Sequence, residues 1–311
     1  MNIELVEVSP RDGLQSESVL LPTAAKIALI ERLLHAGLRR IEVTSFVNPK
    51  RVPQMADAEA VLAGLPRRDG VSFMGLVLNI KGLERALAAG CDAVGMAIVA
   101  SETFNRRNQG VGTEESIAGW REIARAAHAA GIAPNVTISA AFGCPYEGDI
   151  DPGHVLDIAL RCAESEPVEI ALADTIGVAV PTQVEDLFAS LHERLPSMPL
   201  RAHFHNTRNT GLANVYAAIR SGARTIDASV GGIGGCPFAP AATGNVPTED
   251  VLYMLNRMGM ETGVSMDRLL ETAQWVEQQL GKTVPGMLVK AGNFPQHRPA
   301  ACGDSLSVGG R

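Results

Sequence analysis

The chain has no covalent framework. Its five cysteines, Cys91, Cys144, Cys162, Cys236 and Cys302, are widely spaced and form no C-x-x-C pair. That pattern excludes a disulfide-stapled fold and a thiolate zinc cluster. Each cysteine is read as a small buried hydrophobe, Cys236 excepted. No apolar run reaches the roughly 18 residues that a membrane span needs. No basic stripe exists either: 27 Lys and Arg face 34 Asp and Glu, a net charge of -7 at pH 7, which argues against a nucleic-acid partner. No Gly-x-Gly-x-x-Gly follows the first strand, which weakens a dinucleotide-binding doubly wound sheet. The opening MNIELVEVSPRDG alternates at once as a strand and shows no charged-then-apolar leader, so a soluble, cytoplasmic protein with no membrane partner is expected.

What is present is a large supply of core. Hydrophobic residues make up 46% and charged residues 20% of 311 positions. Short apolar runs alternate with segments of helical period. The runs are IELVEV, RRIEVTSF, VSFMGLVL, AVGMAIVA, NVTISAAF, VEIALAD, LRAHFH and TIDASV. Each is followed by an amphipathic stretch, from AAKIALIERLLHAG to TEDVLYMLNRMG, and several of these stop at a glycine (Gly37, Gly90, Gly131, Gly222, Gly259). Strands rich in Val, Ile, Leu and Ala fit a parallel sheet covered by helices. Eight such units are the number that closes a (β/α)8 TIM barrel of about 250 residues. The barrel is expected over 1–260. The remaining 261–311 would add a C-terminal helix, SMDRLLETAQWVEQQLG, and a Gly/Ser/Pro-rich tail packing on or flanking it.

In such a barrel the chemistry sits at the C-terminal ends of the strands. The first strand ends in SPRDG, with Arg11 and Asp12; the second carries Glu42; the fourth runs into SETFNRRN; the sixth ends in Asp174 and Thr175. The seventh delivers His203 and His205, whose i, i+2 spacing turns both imidazoles to one face. After the eighth comes GGIGGCPFAPAATGN, with Cys236 and Asn245. The first, seventh and eighth strands are neighbours in a closed barrel, so Asp12, His203, His205 and Asn245 converge. Two imidazoles, a carboxylate and an amide oxygen form a thiolate-free shell suited to Mg2+ or Mn2+. Arg11 beside Asp12 reads either as an ion pair to Glu42 or Asp174, or as a fixed cation for an enolate oxygen. Glu42 and Asp174 would orient Arg11, the histidines or water, or serve the fold alone. Cys236 lies in a loop with four glycines in five positions, able to move and to deliver a proton. Cys144, in AFGCPYEG, reads as structural.

The ordered set SPRDGLQSE, IEVTSFVNPKRVPQMAD, GCPYEG, LADTIGVAVP, HFHNTR with GLAN, and SVGGIGGCPFAPAATGNVPTEDV resembles the 3-hydroxy-3-methylglutaryl-CoA lyase family, and spans the chain from first strand to eighth helix. The resemblance implies a retro-Claisen lyase that cleaves an acyl-CoA to acetyl-CoA and a 3-oxo acid, acetoacetate for the type substrate. It implies Asp12, His203, His205 and Asn245 as ligands of a divalent metal that gathers the C3 hydroxyl and the distal carboxylate. It also implies Arg11 as enolate stabiliser, Cys236 as the loop acid, and a homodimer or homotetramer. Acyl-CoA contacts are expected from Arg11, Gln15, Thr137, Thr175, Gly232, Gly234 and Gly235.

Three departures from the family bear on the acyl pocket or its surroundings: Asn206 where Asp is usual, Arg51 where Trp is usual, and Thr137 where a Tyr near the substrate is usual. They leave the metal and the bond-breaking groups intact and make a different C3 substituent a live expectation. The tail lacks the family's Cys-Lys-Leu ending, so no redox role falls to Cys302. Alternatives on the same barrel are a Claisen-condensing synthase for acetyl-CoA and 2-oxo acids, a related aldolase, and a non-catalytic barrel that binds a metal or CoA ester.

Overall fold

The computed structural model describes residues 2–235 and 244–294. Within them the chain runs β1 (Glu4–Glu7), α1 (Thr23–Ala36), β2 (Arg40–Ser45), α2 (Ala58–Ala63), β3 (Ser72–Leu76), α3 (Ile80–Ala89) and β4 (Ala93–Val99). It continues through α4 (Glu102–Gln109), α5 (Thr113–Ala129), β5 (Ala133–Ser139), α6 (Pro152–Ala163), β6 (Ile170–Asp174) and α7 (Pro181–Arg194). Then follow β7 (Leu200–Phe204), α8 (Gly211–Arg220), β8 (Thr225–Ala228), α9 (Thr248–Arg257), α10 (Met266–Leu280) and α11 (Met287–Ala291). The eight strands are parallel and close in sequence order, β1 pairing with β8, so the fold is a TIM barrel.

The helices stand where the apolar period places them. In α5 the buried Ile117, Trp120, Ile123, Ala124 and Ala127 form one stripe, and the Trp120 indole N–H donates to the Cys162 carbonyl at 3.0 Å. Truncating Trp120 to alanine would cost about 3–5 kcal/mol. Two short helices escaped the sequence reading. SETFNRRN, the polar stretch into which the fourth strand runs, forms α4, where the Ser101 hydroxyl caps the helix by accepting from the Phe104 N–H at 3.2 Å. Its polar composition gave no apolar stripe to detect. The five-residue α11 is held by Asp250, whose carboxylate accepts from the N–H groups of Met287 (3.0 Å) and Leu288 (2.8 Å).

The segment after α9 lies on the barrel. Ser265 N–H donates to the Ala36 carbonyl at 2.7 Å, Arg32 stacks over Trp275, and Gly286 N–H reaches the Gly231 carbonyl at 3.1 Å. Among the described residues no helix is long and apolar enough to cross a membrane.

The barrel interior is not uniformly apolar. Val6, Val8, Met74 and Ala93 plug one part of it. Beside them runs a buried ladder of charges: Arg40 and Arg201 both bind Glu169, and Arg201 also binds Asp227. These side chains lie on the interior parity of β2, β6, β7 and β8. Their pairing offsets part of the cost of desolvation, and losing one partner would leave another charge buried alone.

Candidate active site

The site grows from the end of β1. After Val8 the chain makes one wide turn over Ser9–Gly13, closed by the Gly13 N–H on the Val8 carbonyl at 3.1 Å. A side chain at position 13 would run into Ile233 and the Ser229 hydroxyl, at 2.8 and 3.0 Å from an added Cβ, so only glycine lets this turn nest against the β8 side. The turn lifts Arg11 and Asp12 to the barrel mouth. There the Arg11 guanidinium donates to Asp12 Oδ1 and to Glu42 Oε2, both at 2.7 Å. Of the two carboxylates considered for Arg11, the structure pairs it with Glu42.

At the end of β7 the two histidines face the same way, their ring centroids 5.3 Å apart. Ligand atoms of Asp12, His203 and His205 all lie within 4.8 Å of one another. Asn245 arrives from the segment that bridges to His205, and its Nδ2 donates to Asp12 Oδ2 at 2.8 Å and to the Ile233 carbonyl at 3.1 Å. Its Oδ1 and the His205 Nδ1 are buried, with no hydrogen-bond partner among the described residues. Orphaned acceptors of this kind are costly unless something else binds them. His205 faces the cluster with Nε2, 3.9 Å from Asp12 Oδ2, and with Asp12, His203 and the orphaned Asn245 Oδ1 it makes a donor set that fits a hard divalent cation.

Electrostatics prepare the same atoms. Burial works against the charge on Asp12, but Arg11 and then the two histidines outweigh it, and the carboxyl is held well below its usual range. Burial, helped by His203, pulls His205 down to about 4, so its ring is neutral and available for ligation at physiological pH. His203 is different. Burial depresses it, yet the contact of Nδ1 with Asp227 Oδ2 at 3.1 Å raises it overall and leaves Nε2 facing the cluster. Asp227 itself is fixed by Arg201. A carboxylate behind a ligating imidazole sets its tautomer and its direction.

A pocket of about 820 Å³ opens over these residues. Gln15, Thr137, Thr175 and Gly235 line it, together with Arg11, Asp12, Glu42 and both histidines. The Thr175 hydroxyl accepts from the Ala140 N–H at 2.9 Å, tying the β5 and β6 ends together. Gly234, at φ +106, packs so tightly that an added Cβ would lie 2.6 Å from Asn245 Nδ2 and 2.9 Å from the Asp12 carbonyl. Gly232 sits at the root of the same loop, and the Gly235 carbonyl accepts from the Ser16 hydroxyl at 2.8 Å. Asp174 stands apart: its carboxylate accepts from the N–H groups of Val178 and Ala179, at 3.0 and 2.9 Å, and so shapes the loop after β6. Cys236 and Cys302 lie outside the described residues. Cys91, Cys144 and Cys162 are buried free thiols, and burial pushes Cys91 and Cys162 up to about 12.

Two groups that serve the site were missed in the sequence, Asp227 and Arg201. Their signal was parity: Arg201 sits two positions before His203 and Asp227 two before Ser229, each a charge on the interior face of a buried strand.

With this geometry in hand, the relatives are informative. The chain is 43% identical over 305 residues to the (R)-citramalyl-CoA lyase of Chloroflexus aurantiacus, covering 94% of this chain and 96% of that protein. It is 42% identical over 289 residues to the mitochondrial hydroxymethylglutaryl-CoA lyase of Mus musculus, covering 93% and 89%. Among solved structures, an HMG-CoA lyase from Acinetobacter baumannii in complex with coenzyme A and 3-methylmalate superposes with a TM-score of 0.91 at 39% identity, covering 96% of this chain and 98% of that one. The sequence matches the HMGL-like family over residues 2–276, and the chain belongs to that family as a carbon–carbon lyase.

Proposed function

We propose that this barrel is a divalent-metal-dependent retro-Claisen lyase acting on 3-hydroxy-3-methylglutaryl-CoA or a C3-substituted relative such as citramalyl-CoA. The two substrates share a CoA thioester and a tertiary, hydroxylated C3; they differ by one methylene before the distal carboxylate. The observation that carries the reading is Arg11. A guanidinium locked 2.7 Å from both Asp12 and Glu42, at the edge of the Asp12–His203–His205 cluster, is a preorganised cation where an enolate oxygen would form.

Asp12, His203, His205 and Asn245 would hold the cation, Mg2+ or Mn2+, whose contribution is to acidify and orient the C3 hydroxyl. This chain's own groups do the rest. The hydroxyl proton leaves toward the carboxylate and imidazoles of the cluster, the C2–C3 bond breaks, and its electron pair moves onto the thioester as an enolate beside Arg11. Glu42 keeps Arg11 from swinging away. Protonation of C2 falls to Cys236, carried by the loop whose root, Gly234 and Gly235, rests on the site. The products are acetyl-CoA and acetoacetate, or pyruvate when citramalyl-CoA is the substrate.

The test is a steady-state assay of chelator-stripped protein with Mg2+ or Mn2+ restored, following acetyl-CoA release from each substrate. Metal-dependent cleavage of either supports the reading; cleavage of neither by metal-loaded protein removes it. Cys236→Ala is expected to lower turnover by about 100-fold or more with metal content unchanged, and full activity would remove the loop-acid role.

A further inference from the structure

The pocket does not end at the cation-binding side. It descends between β4 and β6, from Ser139 at the mouth to Asn135, four residues lower and roughly 13 Å along the strand. A barrel interior at this depth is normally filled by layers of bulky branched side chains. Here the interior positions are Gly95 and Ala97 on β4, Thr137 on β5 and Ala173 on β6, all lining the pocket. Gly95 pairs with Asn135 and Ala97 with Thr137, so the small residues stand side by side in two successive layers. An added Cβ at Gly95 would meet only Met74 Sδ, at 3.7 Å, an ordinary contact with room to spare. At the floor, Asn135 Oδ1 is buried and has no hydrogen-bond partner among the described residues.

Resting on the lyase reading above, we infer that this sector is a subsite for the C3 substituent, and that the enzyme's substrate class is 3-hydroxy acyl-CoAs whose C3 carries an aliphatic branch longer than methyl. With the C3 hydroxyl and the distal carboxylate on the Asp12–His203–His205 side and the thioester beside Arg11, the branch is the C3 substituent left to enter the sector lined by β4 and β5. There Leu76, Ala97 and Ala173 give it apolar walls. Unfilled space between packed strands forfeits dispersion contacts on every wall, so a substrate that fills it is favoured over one that does not. The chemistry is unchanged: C2–C3 breaks, its electron pair enters the enolate, the hydroxyl proton is lost and C2 gains one, releasing acetyl-CoA and a correspondingly longer 3-oxo acid.

The experiment compares 3-hydroxy-3-methylglutaryl-CoA with its 3-propyl homologue, which would yield 3-oxohexanoate, using full-length Mn2+-loaded enzyme. The expected kcat/KM for the propyl substrate is higher by about 15-fold, from two further buried methylenes at about fourfold each. Ala97→Phe should reverse that preference by filling the sector. Gly95→Ala, which adds one carbon where space exists, should reduce it by about threefold in a protein whose melting and Mn2+ binding match the parent. Cleavage of the methyl substrate with the propyl homologue equal or poorer overturns the subsite and leaves the lyase reading standing. An unchanged preference in both folded variants also overturns the subsite. Cleavage of neither substrate by Mn2+-loaded enzyme overturns both.

Discussion

Two halves of one barrel interior are built on opposite plans. On the β7–β8 side the interior charges are tied to one another: Arg201 binds Glu169 and Asp227, Asp227 binds His203, and His203 joins Asp12 and His205. Across the barrel, β4 and β6 contribute glycine and alanine, and the wall recedes. The first half is rigid because each buried charge has a fixed partner, and removing one strands another. The second offers shape without direction. A lyase needs both, since the reacting oxygen must be held to within a fraction of an ångström while the rest of the acyl group need only fit.

The sharpest way to break this contrast is to disable the committed half. His205→Ala should weaken Mn2+ binding by at least about 100-fold and lower turnover by about 1,000-fold or more, read by calorimetry and steady-state kinetics. Wild-type metal affinity would sink the ligand assignment. Asp227→Ala should act one step further back. Metal affinity should fall by about 10–100-fold as His203 loses its orientation, and stability should fall by about 3 kcal/mol as Arg201 loses a buried partner. A denaturation curve like the parent's would show that the ladder is not cooperative.

A smaller effect is expected at the base of the glycine loop. Glu249 is buried against the Gly231 N–H at 3.0 Å, and burial raises its carboxyl to about 8. A folded-state value above the unfolded one means that the folded form holds the proton more tightly. The associated stability is full below about 4.5 and is lost as pH rises through about 8. The melting temperature of metal-free protein should therefore decline from pH 5 to 8, with a slope of at most about 1.4 kcal/mol per pH unit, and Glu249→Gln should flatten it. A parallel decline in both proteins would remove Glu249 as the cause. The smallest change belongs to the outer surface. Arg121 and Glu164 make the same kind of ion pair as Arg201 and Asp227, but with half of each side chain in solvent. Glu164→Ala should alter stability by no more than about 0.5 kcal/mol.

Much of this protein is legible in its sequence. The eight strands fell where apolar runs had been read, because a strand buried on both faces advertises itself by composition. Asp12, the two histidines and Asn245 could be selected because polar residues at strand ends are few. The errors followed from the same logic. SETFNRRN has no apolar stripe, and its helix is stabilised by a cap and by Phe104 alone among its large apolar side chains. Asp227 and Arg201 were passed over because a charge inside a strand has no meaning until its partner is known.

What the sequence determined by itself is local: hydrophobic period, strand parity, turn chemistry, and hence the barrel and the strand ends where its polar residues gather. What only the tertiary structure decided is pairwise. Arg11 chose Glu42, 31 positions away, rather than Asp174, whose carboxylate is spent on the N–H groups of its own loop. His203 received Asp227, and Gly95, Ala97, Thr137 and Ala173 merged into one receding wall. Each of these depends on the register and tilt at which separate strands meet, and closing the barrel is what sets both.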